Sequence, residues 1–195
     1  MQDSPISTLN HAETENPMSG NVCLRPVAAG DFDLFEAEVL SPEGAGQFEW
    51  FGFTPGHWLR RRFAEDGLLN SEGGFLSITE DDALVGLVNW HKMAWGRPDT
   101  SYCWTVAMGL RPSSRSRGIG TAALRMIVAY LFHHTCAQRV QGYTDVENIA
   151  AHRILDKSGF QREGVMRSAQ WRAGAWHDMA LYSVTRETYQ AGRRS

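Results

Sequence analysis

The stretch "RPSSRSRGIGTAALR", residues 111–125, places three arginines and two closely spaced glycines directly before a run of mainly apolar residues. A helix that starts at Gly118 exposes about four unpaired N–H groups and the positive end of its dipole, and both attract anions. Gly118 and Gly120 have no side chains to keep an anion from the backbone. Arg115 and Arg117 supply forked donors that suit phosphate oxygens. The stretch therefore predicts a pyrophosphate-binding loop, with a solvated loop as the alternative for this segment alone.

Two other phosphate-binding motifs compete for the same glycines. Residues 118–123 also satisfy the dinucleotide pattern G-x-G-x-x-G/A, and Asp145 ends the next predicted strand. In that pattern the first glycine follows its strand immediately, whereas seven residues separate Leu110 from Gly118 here. A dinucleotide-binding protein stays as an alternative. A Walker loop is excluded, because no Gly-Lys-Ser/Thr follows the glycines.

Length and composition favour one globular domain. The 195 residues are 43% apolar and 21% charged, and the net charge is −3. We expect a single domain over 22–187, a disordered or loosely docked tail over 1–21 and a second tail over 188–195. A negative net charge argues against nucleic-acid binding, and the longest apolar run is too short for a membrane helix.

Cysteine usage and the N-terminal residues favour a cytoplasmic protein. The three cysteines are an odd number without a C-x-x-C pair, so neither a disulfide framework nor a zinc site is indicated, and we expect no metal. The first 21 residues contain acidic residues but no lysine or arginine and no apolar core, so they do not form a signal peptide.

Hydrophobic periodicity predicts the element order β-α-α-β-β-β-α-β-α-β-β, a mixed α/β sheet. Asp31 is the expected cap of the first helix, and the second helix is expected over 55–65. Further segments are a strand over 22–27, two strands around a turn at 80–82, strands over 101–110 and 139–145, a long helix from 118, a helix over 149–158, and a hairpin over 162–173 and 176–185.

Residues 115–120 match Q/R-x-x-G-x-G/A, the phosphate-binding motif of the GNAT acetyl-CoA-dependent N-acetyltransferases, which the chain resembles over about 22–186. "NIAAHRILDKSGF", residues 148–160, is similar to the family's N-x-x-S/A…K-x-GF helix. "LRPV" and "WHDMALYSV" resemble the branch that contains ribosomal-protein N-terminal acetyltransferases. The resemblance implies a mixed, mostly antiparallel sheet with helices on both faces and a V-shaped splay between two central parallel strands.

The resemblance also implies acetyl-CoA as co-substrate and assigns residues to it. The backbone of Met108, Gly109 and Leu110 would pair with the pantetheine arm. Asn148 is similar to the asparagine that contacts the pantetheine region, and Arg153 is placed to reach the phosphates. The pyrophosphate would lie on the loop and helix start, formed by Arg115, Ser116, Arg117, Gly118, Ile119, Gly120 and Thr121.

The resemblance implies direct acetyl transfer to a primary amine, although two residues depart from the family pattern. Relatives carry serine at the position of Ala151 or tyrosine at that of Leu155, and both supply a proton to the departing thiolate. Their absence keeps a non-catalytic acyl-CoA-binding or regulatory protein as an alternative. Candidate bases are Glu147, beside the start of a helix, and His91, which can accept a proton near neutral pH.

The acceptor is expected to be a small-molecule amine or a peptide N-terminus. Seven tryptophans are many for this length, and Trp50 and Trp95 lie in segments that line the acceptor side in the resembled fold. The sequence is compatible with a homodimer and does not fix the oligomeric state.

Overall fold

The computed structural model describes residues 9–10, 20–53, 55 and 57–193. Most of the predicted N-terminal tail, 1–21, and the end of the predicted C-terminal tail lie outside the described residues. Within the described part, no helix is both long and apolar enough to cross a membrane.

A single sheet runs through the molecule in the order β1-β2-β4-β5-β6-β7-β9-β8, with β3 paired to β4. Neighbouring strands are antiparallel except β6 and β7, which are parallel. The strands are β1 (Leu9–Asn10), β2 (Val22–Pro26), β3 (Leu69–Asn70), β4 (Gly73–Glu80), β5 (Ala83–Ala94), β6 (Tyr102–Leu110), β7 (Arg139–Asp145), β8 (Gln161–Arg172) and β9 (Ala175–Thr185).

Helices cover both faces of the sheet, and each face has its own core. The helices are α1 (Phe32–Leu34, continued by a π-helical turn over Phe35–Val39), α2 (Pro42–Glu49), α3 (Trp58–Asp66), α4 (Ile119–His134), α5 (Ile149–Lys157) and α6 (Arg186–Gly192). On one face α4 buries Ile119, Ile127 and Leu131 against the central strands. On the other face Phe32, Phe35 and Leu59 form a second cluster.

The sheet opens between its two parallel strands. β6 and β7 pair only at Trp104 with Val140 and at Thr105 with Gln141. Past these pairs β6 continues to Leu110 and β7 to Asp145, and no backbone pairing joins them in the described structure. The fully buried Gln141 donates to the Thr105 hydroxyl over 3.1 Å and so ties the strands together at the vertex. This V-shaped splay confirms the predicted fold class.

Several predicted boundaries agree with the structure because local signals set them. α4 follows Gly118, which has a φ of 85°, and Gly159 ends α5 with a φ of 83°. β7 spans the predicted residues, and the β8–β9 hairpin turns at Ala173 and Gly174, both with positive φ. These left-handed positions are the ones that favour glycine at a helix end or in a tight turn.

Other elements differ from the predicted order, which lacks β1, β3, α2 and α6. The helix predicted over 55–65 begins at Trp58. The Asp31 carboxylate accepts from the Ala28 amide behind it over 2.8 Å and pairs with Arg25, so Asp31 does not cap the next turn as expected. The predicted domain end at 187 falls within α6, whose start Thr185 caps.

Candidate functional site

The loop between β6 and α4 presents a row of backbone amides. Positive φ at Ser116 (60°) and Gly118 (85°) turns the chain into the helix. The first amide bonded into α4 is that of Ala122, which donates to the Gly118 carbonyl over 3.1 Å. The six preceding amides, of residues 116–121, have no acceptor in the described structure. Six donors at the positive end of a 16-residue helix form a site for an anion.

The edge of β6 beside this loop is also open. β5 pairs with one edge of β6 as far as Leu110, while the edge toward β7 has no described strand partner beyond Thr105. Met108, Gly109 and Leu110 lie on this stretch and are half-buried. An extended amide-containing chain can hydrogen-bond to such an edge as an added strand.

The two glycine positions of the motif favour glycine for different structural reasons. A Cβ on Gly118 would meet nothing within 4 Å, but the φ of 85° disfavours any other residue. A Cβ on Gly120 would lie 3.0 Å from Ile154 Cδ1 of α5. The missing side chain of Gly120 therefore also makes room for α5, and the close approach of an anion to this glycine stays a prediction.

Both loop guanidinium groups expected on phosphate bond to protein. Arg117 makes a forked ion pair with the buried Glu80, with an Nη1–Oε2 distance of 2.9 Å. Arg115 donates to the Leu110 carbonyl through Nε and Nη2 at 3.1 and 3.0 Å, and Nη2 also donates to the Gly44 carbonyl. In the described structure the backbone amides of this loop are donors without partners, and the assignment of both guanidinium groups to phosphate stays a prediction.

Residues at the start of α5 border the opening from the β7 side. The Asn148 side chain accepts from the Ala151 amide over 3.1 Å, which is the helix cap predicted from the sequence. The Glu147 side chain is exposed, and its amide donates to Asp145. Arg153 is exposed and has no hydrogen-bond or ion partner within the described residues, so its guanidinium is available to a ligand.

The structure places His91 and Trp95 beside Thr105 and Gln141 at the vertex and Trp50 at the end of α2. His91 pairs in register with Thr105 at the level of the vertex and lines a cleft of about 400 Å³. Burial lowers the pKa of its imidazole, so the neutral ring that can accept a proton is favoured. Trp95 is 60% exposed, and its indole N–H donates to Gln141 at the vertex over 3.3 Å. Trp50 directly follows α2.

Sequence reasoning missed a charged cluster at the open end of β7. Arg172 and Asp145 form an ion pair, and both side chains are at most 4% exposed. Burial opposes ionisation of Asp145, yet the Glu147 amide and Arg172 hold the pKa of its carboxyl below the usual value. Burial, aided by the charge of Asp145, raises the pKa of Glu49 despite the opposing charge of Arg172. Only Asp145, at the end of a predicted strand, carried a sequence signal.

The described residues contain no group of three or more His, Cys, Asp or Glu side chains arranged to hold a metal ion. The chemistry that the site offers comes instead from amides, an open strand edge and carboxylates.

A mixed sheet that splays between its two parallel strands, with unpartnered amides at the helix start beside the opening, defines the fold class of the acyl-CoA-dependent N-acetyltransferases. Comparison with protein families gives the same answer. The chain belongs to the GNAT acetyltransferase family, because the family model described as "Acetyltransferase (GNAT) domain" matches residues 21–161.

Individual relatives and solved structures are similar to the chain at low sequence identity. The Probable N-acetyltransferase YjcK of Bacillus subtilis (strain 168) is 29% identical over 104 residues, which are 53% of this chain and little more than half, 56%, of that protein. Spermidine N-acetyltransferase from Vibrio cholerae, in complex with CoA and spermine, superposes with a TM-score of 0.73 at 16% identity, covering 87% of this chain and 98% of that one. An acetyl transferase from Salmonella typhimurium, which modifies the N-terminal serine of ribosomal protein L7/L12, gives 0.70 at 19% identity, with coverages of 87% and 97%.

Proposed function

We propose that the protein transfers the acetyl group of acetyl-CoA directly to a primary amine, either a peptide N-terminus or a small-molecule amine, while both substrates are bound. The observation that carries this proposal is the row of six amides at 116–121 beside the open edge of β6. The amides suit a diphosphate, and the strand edge suits the amide-containing pantetheine arm. Asn148 and Arg153 border the same opening, so the described residues fit CoA.

Holding both substrates in one cleft supplies much of the acceleration. Effective molarity in well-oriented reactions is worth roughly 7–11 kcal/mol, and backbone N–H groups beside the splay can stabilise the oxyanion. Neither contribution requires a particular side chain. The loss of the family serine and tyrosine at Ala151 and Leu155 therefore leaves the main sources of rate in place.

Proton removal favours an amine of low pKa. Deprotonating a lysine with a pKa of about 10.4 at pH 7 costs about 4.6 kcal/mol, whereas an α-amine near 7.8 costs about 1 kcal/mol. Glu147 and His91 are the proposed bases, and Trp50 and Trp95 the proposed acceptor contacts. A peptide N-terminus or small amine of low pKa is thus preferred to a protein lysine. A cytoplasmic setting, inferred from cysteine usage, is part of the proposal.

The test follows CoA thiol release from acetyl-CoA with three amines: a peptide with a free N-terminal serine, spermidine, and an N-terminally blocked peptide with one internal lysine. We expect turnover on an α-amine or small amine and little on the internal lysine. Faster reaction of the lysine contradicts the preference. CoA binding without turnover on any amine favours the non-catalytic acyl-CoA-binding or regulatory alternative.

Single substitutions then examine the two bases. Glu147→Gln and His91→Ala are each expected to lower kcat while KM changes little, because a base acts in the chemical step. The exposed Glu65→Gln and His133→Ala are matched controls of the same chemistry away from the opening. Turnover that survives both site variants removes Glu147 and His91 as bases and leaves the acetyl-transfer proposal standing.

A further inference from the structure

Helix α2 lies between the open ends of the two splayed strands, and one arginine ties its beginning to β6. Arg115 donates two hydrogen bonds to the carbonyl of Leu110, the last residue of β6. The same guanidinium donates to the carbonyl of Gly44, in the first turn of α2. Gly44 is buried, so this carbonyl depends on a protein donor.

A second arginine ties the end of α2 to β7. Arg172 bonds to Asp145, the last residue of β7, and donates to the Phe48 carbonyl of α2 over 3.2 Å. Its guanidinium also lies over the Phe48 ring, 5.8 Å from the centroid. The two ends of α2 are thus attached, through one arginine each, to the two strand ends that diverge.

The helix between these attachments is weak by itself. Gly46 has φ 68° and ψ −174°, so α2 consists of two short turns joined at a non-helical residue. The first turn is supported by Ser41, whose hydroxyl accepts from the Gly44 amide over 3.0 Å. A segment of eight residues broken in this way has too few internal bonds to hold its position without outside contacts.

We propose that Arg115 and Arg172 are positioning residues that hold Pro42–Glu49, here called the strap, across the open end of the splay on its acceptor side. The proposal rests on the proposed function, since it assigns to the strap the placement of the acceptor amine. Glu49 ends the strap and Trp50 follows it, so the strap decides where both side chains lie. Arg115 joins the strap to the strand that is proposed to hold pantetheine, which links formation of the acceptor site to the CoA loop.

Amide hydrogen exchange with Arg115→Met tests the tether without any need for an acceptor. The reporters are the amides of Ala45 and Trp50, which donate to the Ser41 and Gly46 carbonyls and so close the first and last turns of the strap. Loss of the charge-assisted bond to the Gly44 carbonyl should accelerate their exchange about tenfold or more. Arg60→Met is the matched control, because Arg60 makes three comparable bonds to Asp33 and Glu36 but none to the strap.

The second tether is tested with a paired variant. Removing Arg172 alone would leave the buried Asp145 without its guanidinium partner, with only His177 and the Glu147 amide beside it, and such a loss strongly destabilises a fold. Arg172→Met is therefore combined with Asp145→Asn, which removes both charges of the buried pair, and the wild-type protein is the reference. The double variant should again accelerate strap exchange relative to the reference, while the exchange of α4 stays unchanged.

CoA titration and kinetics separate a tether from a phosphate ligand. With Arg115→Met we expect the Kd for CoA to change by less than about fivefold, and the KM of the best amine in the panel to rise about tenfold. A loss of CoA affinity of tenfold or more with unchanged strap exchange makes Arg115 a phosphate ligand and overturns the proposal. Unchanged exchange in both tether variants overturns it as well. A wild-type protein that binds no CoA refutes the proposed function instead, and the exchange data still decide whether the strap is tethered.

Discussion

Gly120→Ala tests whether the second glycine of the phosphate motif is required by the ligand or by the neighbouring helix. The new Cβ would lie 3.0 Å from Ile154 Cδ1 and 3.7 Å from Leu110 Cδ1. The first distance is shorter than an ordinary carbon contact by about half an ångström, and the second is normal. The substitution therefore presses on the end of one flexible side chain of α5.

The expected destabilisation follows from two opposing contributions. Overpacking by one methyl group costs about 1–3 kcal/mol, and replacing glycine by alanine in a helix returns up to about 1 kcal/mol. The net loss is about 0–3 kcal/mol, or a decrease in Tm of up to about 12 °C for a chain of this size. Ile154→Val alone, which removes Cδ1, costs about 0.5–1.5 kcal/mol through lost packing.

The double variant is the decisive measurement. In Gly120→Ala with Ile154→Val, the added methyl occupies the space that Cδ1 leaves, so the Tm should return to within about 2 °C of wild type. CoA affinity, measured by titration, should return toward the wild-type value together with the Tm. A double variant whose Tm falls by the sum of the single effects contradicts the contact. CoA affinity that stays low after the Tm has recovered shows that the glycine is required by the ligand.

Two further predictions concern the fold around the site. Arg186→Met should lower the Tm by about 4–8 °C. The Arg186 guanidinium donates to three backbone carbonyls at and just past the end of α4, and these hydrogen bonds together contribute about 2 kcal/mol. An unchanged Tm would show that Arg186 does not stabilise the end of α4. The Arg139 guanidinium lowers the pKa of Glu163 from 4.5 to about 2, so the stability that this carboxylate contributes is complete above pH 4.5 and is lost as the pH falls toward 2. Glu163→Gln should accordingly have a lower Tm than wild type at pH 7 and the same Tm near pH 2, and a gap that is constant with pH would refute the assignment.

The parts of the fold that the sequence predicts are those set by neighbouring residues. α4 begins where glycine permits a positive φ and an apolar run begins, and β7 occupies the predicted seven residues of its strand pattern. α2 escapes prediction because Gly44 and Gly46 interrupt the helical pattern, and its position depends on arginines far along the chain. Gly44 and Arg115, for example, are 71 residues apart. A local sequence pattern does not predict such a contact.

The site shows the same division between chemistry and geometry. The motif at residues 115–120 identifies the family. Its unpaired amides lie at the start of α4, where every helix leaves such donors without partners. The partner of each arginine depends on the tertiary structure: Glu80, which binds Arg117, lies 37 residues away on β4. The sequence motif predicts the donors of this loop, but it does not predict the acceptors that the tertiary structure brings to them.

The two loop arginines differ electrostatically because their partners differ in charge. Arg117 faces a carboxylate that is only 7% exposed, so its charge is largely offset before any ligand arrives. Arg115 bonds to two neutral carbonyls and keeps its full charge beside the amides. Attraction between two unit charges about 8 Å apart in water is worth only about 0.5 kcal/mol. Under the proposed function, such attraction would steer CoA to the loop while the Arg115 guanidinium keeps its hydrogen bonds to the Leu110 and Gly44 carbonyls.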